Sequence, residues 1–234
     1  MLNGIFSQET LLETLEIVKS EFAFAFWETL YVTLAATFFA ALIGAPLGIL
    51  LVTGDKDGIR PLPSPLMKAL NVIINILRSV PFLILMILVF PLTRAIVGTA
   101  VGTVASIVPL TIAAFPFVAR LIEGCMREVN PNVIEMARSM GASPFQIVTK
   151  VMIPESVPSL ISNMTIAFTT ILGYTAMSGI IGGGGLGKIA INYGYYRYKY
   201  LVMLLAVILL VVLVQIFQSV GTKAAVKLDK RIRR

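Results

Sequence analysis

Histidine is absent from the 234 residues, and cysteine occurs once, at Cys125. Without imidazole and with a single thiol, the chain cannot assemble a histidine base, a Cys–His nucleophilic pair, a His/Cys metal cluster or an internal disulfide. Charge is scarce as well, 13% of residues against 57% hydrophobic, too little to solvate a globular surface of this size. No G-x-x-x-x-G-K-[ST] phosphate loop occurs, so any ATP hydrolysis belongs to another chain, and no cofactor is expected in this one. The segment 1–21 carries Glu9, Glu13, Glu16 and Glu21 against Lys19, the opposite of the cationic start of a signal peptide, and no cleavage is expected.

What the sequence does contain is long apolar stretches. A helix of roughly 20 apolar residues crosses a bilayer core, and such stretches read at 22–52, 66–90, 96–122, 157–181 and 200–220. The expected class is therefore an all-α integral membrane protein with five transmembrane helices. Segment 1–21 is expected outside or at the interface, 22–220 in the membrane, and 221–234 as a basic cytoplasmic tail. Five spans put the termini on opposite sides. With the C-terminus inside, the inner segments hold Lys56, Arg60, Lys68, Arg120, Arg127, Arg138, Lys150 and six basic residues after Thr222, and the outer ones Lys19, Arg94, Lys188, Arg197 and Lys199. That bias places the N-terminus outside. The net charge of +7 is spread between apolar segments rather than on one amphipathic face, so its partner is a lipid surface and not nucleic acid.

The inner segment 123–156 is patterned like folded structure. Asn130 can cap a helix with Pro131 at its first position, and Gly141 can end it in the left-handed conformation. Ser143, Pro144 and Gln146 match a capping box that opens a second helix, with Pro154 as its expected end. In the first span Thr33, Thr37, Ala40, Gly44 and Gly48 share a face that allows close helix approach. Lys68, Asn71, Asn75 and Arg78 form a polar stripe in the second span, as do Asn163, Thr170, Tyr174 and Met177 in the fourth; polar groups in a bilayer face protein or a water-filled path.

Within the loop, Glu135-Met136-Ala137, then Gly141, then Val151-Met152-Ile153-Pro154 nine residues on, resembles the Glu-Ala-Ala signature of importer permeases of the ATP-binding cassette superfamily. Met136 replaces the first Ala, and Val151 and Ile153 are conservative changes. The stretches Asn75 to Phe82, Thr93 to Thr99, Ile107 to Thr111 and Gly173 to Met177 are similar to the methionine-importer branch, while the N-terminal extension before Phe22 is longer than that family's pattern. The resemblance implies a type I importer permease in a bacterial inner membrane, paired with a second copy of itself. Its other partners would be two ATPase subunits that hold ATP and Mg, and a periplasmic or lipid-anchored binding protein.

It further implies that the loop is a coupling helix docked in a groove of the ATPase. Ala137 and Gly141, one turn apart, are expected to present a bare patch, with Glu135 and Arg138 at its edge and Ala142 and Ser143 at the corner; a bulky residue at either small position is expected to uncouple transport. Tyr174, Met177, Asn163 and Arg78 are the candidates for the solute path, Met177 as an apolar gate or a packing residue, Arg78 facing the path or holding helices together.

The run Gly182 to Gly187 formally fits G-x-G-x-x-G, but it follows a membrane helix rather than a strand, and a hinge or close helix contact is expected there. Tyr193, Tyr195, Tyr196, Tyr198 and Tyr200 are read as an interfacial aromatic belt or as a docking surface for the binding protein. Two other classes remain in view: a secondary ion-coupled transporter, which would need midplane carboxylates and usually shows internal repeats, and a non-transporting scaffold for an ATPase, which usually carries a large external domain. No repeat is visible, no acidic residue lies deep in a span, Glu28 standing near the start of the first, and the outer segments are short.

Overall fold

The computed structural model describes residues 8–229; residues 1–7 of the N-terminal segment and 230–234 of the basic tail lie outside it. Every regular element among the described residues is helical. The helices are α1 (Gln8–Ile17), α2 (Ala23–Thr53), α3 (Ser64–Ser79), α4 (Phe82–Leu88), α5 (Phe90–Val97), α6 (Ile107–Arg127), α7 (Pro131–Ser139), α8 (Pro144–Ile147), α9 (Ile153–Ser178), α10 (Gly185–Ile189) and α11 (Tyr200–Leu228). Among the described residues, four helical stretches are long and apolar enough to cross a membrane, and a fifth if the bent pair α3–α4 counts as one.

The apolar stretch expected at 66–90 is not one straight helix. It breaks at Val80–Pro81 with a bend of 108°, because proline has no N–H to continue the ladder. The stretch expected from 96 turns irregular at Gly98, whose φ of +85° ends α5, and α6 begins only at Ile107. Nor does Pro154 end the loop's second helix: residues 144–181 form one continuous helical stretch. A π turn at Val148–Met152 explains why, since Ile153 donates to the carbonyl of Val148, five residues back. This widened turn takes the neighbouring carbonyls out of the way of the Pro154 ring.

The chain falls into two compact units. Among the described residues the first comprises 8–37, 82–111 and 168–216. Along α1 and the start of α2, Ile17, Phe22, Ala25, Thr29, Thr33 and Ala36 are buried. Their spacing is helical except for the step of five from Ile17 to Phe22, where a π turn (Val18–Phe22) absorbs the extra residue and keeps the stripe on one face. Glu28 and Thr29 clamp the glycine run: the Glu28 carboxylate accepts from the Gly185 N–H at 2.8 Å and from the Thr103 hydroxyl at 2.6 Å, and the Thr29 hydroxyl accepts from the Leu186 N–H at 2.9 Å. Gly187 lies against the Ala176 backbone with no room for a Cβ, so the run is a close helix contact.

The second unit comprises, among the described residues, 38–81, 112–167 and 217–229. Here α2 meets α6 at the small-residue face: a Cβ on Gly44 would stand 2.8 Å from the Phe115 carbonyl oxygen, and one on Gly48 3.0 Å from the Ile122 Cβ. Leu51, Met67, Ile74 and Ala119 form a buried cluster beside this seam. The link from α2 to α3 is closed on itself, Arg60 donating to the Thr53 carbonyl and Leu62 to the Gly54 carbonyl, each at 2.9 Å.

Candidate functional site

The loop between α6 and α9 is built from local signals that each satisfy an orphan backbone group. The Asn130 side chain accepts from the Asn132 N–H at the start of α7, with Pro131 at the first helical position. Gly141, at φ +81°, closes α7 in a Schellman motif: Ala142 N–H donates to the Ala137 carbonyl at 3.1 Å and Gly141 N–H to the Arg138 carbonyl at 3.0 Å. The capping box then starts α8, Gln146 N–H donating to Ser143 Oγ while the Gln146 side chain accepts from the Ser143 N–H. The product is a stiff helix, corner and helix.

The loop's two faces differ from the bare patch expected at Ala137 and Gly141. Ala137 is 4% exposed and, with Ile147 and Met152, packs inward, so it cannot form a surface with Gly141. A bulky residue at Ala137 would therefore wedge the loop's own core. The outward face instead carries Met136, Met140 and Phe145, 58%, 74% and 76% exposed. Met136 and Met140 are one turn apart, and their thioethers make an adaptable apolar contact. Sequence reading passed over these three because large apolar side chains in a membrane protein read as lipid-facing or core, yet helical spacing from Ala137 could have separated them. Glu135, Arg138, Gly141 and Ser143 are exposed and border this face, and Ala142 is half-buried. Beside α7 opens a cavity of about 780 Å³, lined among others by Asp55, Arg127, Glu135, Arg138 and Met152.

Behind the loop lies a polar chain that sequence reading also missed. Arg127, the last residue of α6, donates to Glu123 Oε1 and to Asp55 Oδ2; Arg120 donates to Glu123 Oε2 and to the side-chain oxygens of Asn71 and Asn75 on α3. The Arg127 guanidinium, followed by the Lys56 N–H, holds the Asp55 carboxyl below its ordinary value of 3.8.

The path candidates have individual surroundings. In the first unit, Tyr174 stacks on Phe82, ring centroids 4.5 Å apart and planes within 5°, and Met177 is exposed. In the second, Asn163 donates to Cys125 Sγ at 3.0 Å and to the Ser159 carbonyl at 3.1 Å, a tie between α9 and α6, and Arg78 is exposed. Among the outer tyrosines, Tyr193 donates to Glu21 at 2.5 Å, which raises its pKa, and lies under the Arg197 guanidinium; Tyr195, Tyr196 and Tyr198 point to the surroundings. No group of three metal-ligating side chains occurs among the described residues.

Residues 44–225 match the family described as binding-protein-dependent transport system inner membrane component. The chain belongs to that family. It is thus an inner-membrane transport component with the type I importer permease fold. The permease is 48% identical over 207 residues to the probable D-methionine transport system permease protein MetI of Vibrio cholerae, covering 88% of this chain and 92% of that one. It is 45% identical over 153 residues to the D-methionine transport system permease protein MetI of Escherichia coli K12, covering 65% and 70%. A structure described as an inward-facing conformation of the MetNI methionine ABC transporter superposes with a TM-score of 0.85 at 43% identity, covering 87% of this permease and 94% of that chain.

Proposed function

We propose that the permease is one of two identical membrane subunits of an ATP-binding cassette importer for methionine. Two copies enclose the solute path about a two-fold axis, two ATPase subunits dock on the inner loops, and an external binding protein delivers the amino acid. The observation that carries the substrate is the 48% identity, over 92% of its length, to a permease named for D-methionine transport. Residues 22–220 would form the transport domain, 1–21 an outer appendage and 221–234 a cytoplasmic tail anchored to anionic lipid.

The permease contributes no bond-breaking chemistry, since its sequence has no phosphate loop; ATP and Mg are handled by the partner subunits. Its contribution is mechanical. The knob of Met136, Met140 and Phe145 enters a groove of the ATPase, with Glu135, Arg138 and Ser143 fixing register at the rim and Ala137, Gly141 and Ala142 holding the corner stiff. Closure of the two ATPase subunits on ATP then draws the loops together and favours the outward-open packing, and hydrolysis restores the inward-open one. Tyr174 with its Phe82 partner and Met177 are the path residues this reading favours, whereas Asn163 serves to hold α9 on α6.

Glu28 speaks against ion coupling. Both of its carboxylate oxygens are committed to structural hydrogen bonds, one from a backbone N–H, so it is not a free cation ligand. The test is to purify the permease with its ATPase and measure hydrolysis with and without methionine-loaded binding protein. Stimulation that methionine-free conditions do not give supports the importer; hydrolysis indifferent to both removes the substrate assignment.

A further inference from the structure

We propose that Glu123, held by Arg120 and Arg127, is the positioning residue that makes α3 follow the coupling loop, and that without it ATP is hydrolysed with little transport. This rests on the coupling reading of the loop given above. Arg127 ends α6, and α7 begins at Pro131 after the Asn130 cap, so Arg127 stands at the root of the loop. Its Nε and Nη2 donate to Glu123 Oε1 at 3.1 and 3.0 Å, and Nη2 also reaches Asp55 Oδ2 at 2.8 Å. On the other side Glu123 Oε2 accepts from Arg120 Nη1 at 2.6 Å, and Arg120 Nη2 donates to Asn71 Oδ1 at 2.7 Å and Asn75 Oδ1 at 3.0 Å.

The chain of contacts grips α3 twice. Asn71 and Asn75, one turn apart, tie its flank to Arg120. Asp55 ties the closed link that leads into it, where the Leu62 N–H bonds to the Gly54 carbonyl. The first grip passes through the Glu123 carboxylate; the second runs from Arg127 directly to Asp55.

Exposure decides which links are stiff. The side chains of Glu123 and Arg120 are 12% and 20% exposed, those of Arg127 and Asp55 48% and 45%. Parting Glu123 from Arg120 would leave two shielded charges without their nearest partner, and Arg127 holds Glu123 through two donors, so these links are the stiffer ones; the Arg127–Asp55 pair is half exposed on both sides and gives more easily. When the loop is displaced, α6 and α3 must therefore travel together. An assembly that only added stability would change how much permease folds, and not how many ATP molecules each transported methionine consumes.

The readout is ATP hydrolysed per methionine accumulated, in proteoliposomes holding the whole complex with its binding protein. Glu123→Gln should raise that ratio about tenfold, within the range of an ordinary coupling free energy between sites. Glu123→Asp, which keeps the charge, should recover part of it. The pair Asn71→Leu with Asn75→Leu, at the end of the chain away from the loop, should raise the ratio as well and serves alone if Glu123→Gln does not fold. A ratio unchanged from wild type in the folded variants overturns the proposal. Met140→Asp separates the two readings: if it leaves the ATPase bound and coupling intact, the loop reading fails; if it uncouples while the Glu123 and asparagine variants do not, this proposal alone fails.

Discussion

Arg127 Nη2 lies 2.8 Å from Asp55 Oδ2, joining residues 72 positions apart at the base of the loop between α6 and α9. Arg127 lowers the Asp55 pKa below 3.8, so the carboxylate form favours the folded state above that value, and the contribution is lost only as pH falls through the depressed pKa. The difference in melting temperature between wild type and Asp55→Asn should accordingly stay constant from neutral pH down to about the ordinary carboxylate range and shrink only below it. A difference that vanishes near neutrality would contradict the pairing.

The knob should behave as a contact and not as a fold element. Met140→Asp or Phe145→Asp places a charge where an apolar surface is expected to be covered, and each should weaken association with the ATPase by roughly tenfold or more, the effect of an interface hot spot. Melting of the isolated permease should stay near wild type, because both side chains are exposed. Binding to the ATPase by surface-immobilised titration checks this.

Gly141 calls for a test of conformation alone. A Cβ there would meet nothing within 4 Å, but its φ is +81°. Gly141→Ala should cost about 1 kcal/mol of stability from backbone strain, and Gly141→Asn clearly less, because asparagine tolerates the left-handed region. Thermal melting of the two variants distinguishes strain from collision.

The Glu28 clamp should prove structural. Glu28→Ala leaves the Gly185 N–H without its acceptor and should cost roughly 1–3 kcal/mol, whereas Glu28→Gln retains acceptor capacity and should cost less. Uptake by Glu28→Gln should remain insensitive to sodium and proton gradients.

Much of this protein could be read from its sequence because local rules act locally. Asn130, Gly141 and the Ser143–Gln146 box each satisfy backbone groups within a few residues, and all three occur as the residue types demand. The small-residue face at Gly44 and Gly48 was legible for a similar reason, since only a close neighbour explains such spacing. The π turns were not, because one extra residue in a helix is visible only once the neighbouring face is known, and Pro154 therefore read as a stop. Ala137 misled because a small residue is equally suited to an interface or to a tight interior. The Asn71–Arg120–Glu123–Arg127–Asp55 chain was hidden by distance in sequence: its members read singly as loop charges and a polar stripe.

The most direct measurement is accumulation of radiolabelled methionine in proteoliposomes containing the permease, its ATPase and the binding protein, with ion gradients collapsed by ionophores. Accumulation that requires ATP, survives the ionophores and is lost in Met140→Asp is the expected result. Accumulation driven by an ion gradient without ATP would contradict the account.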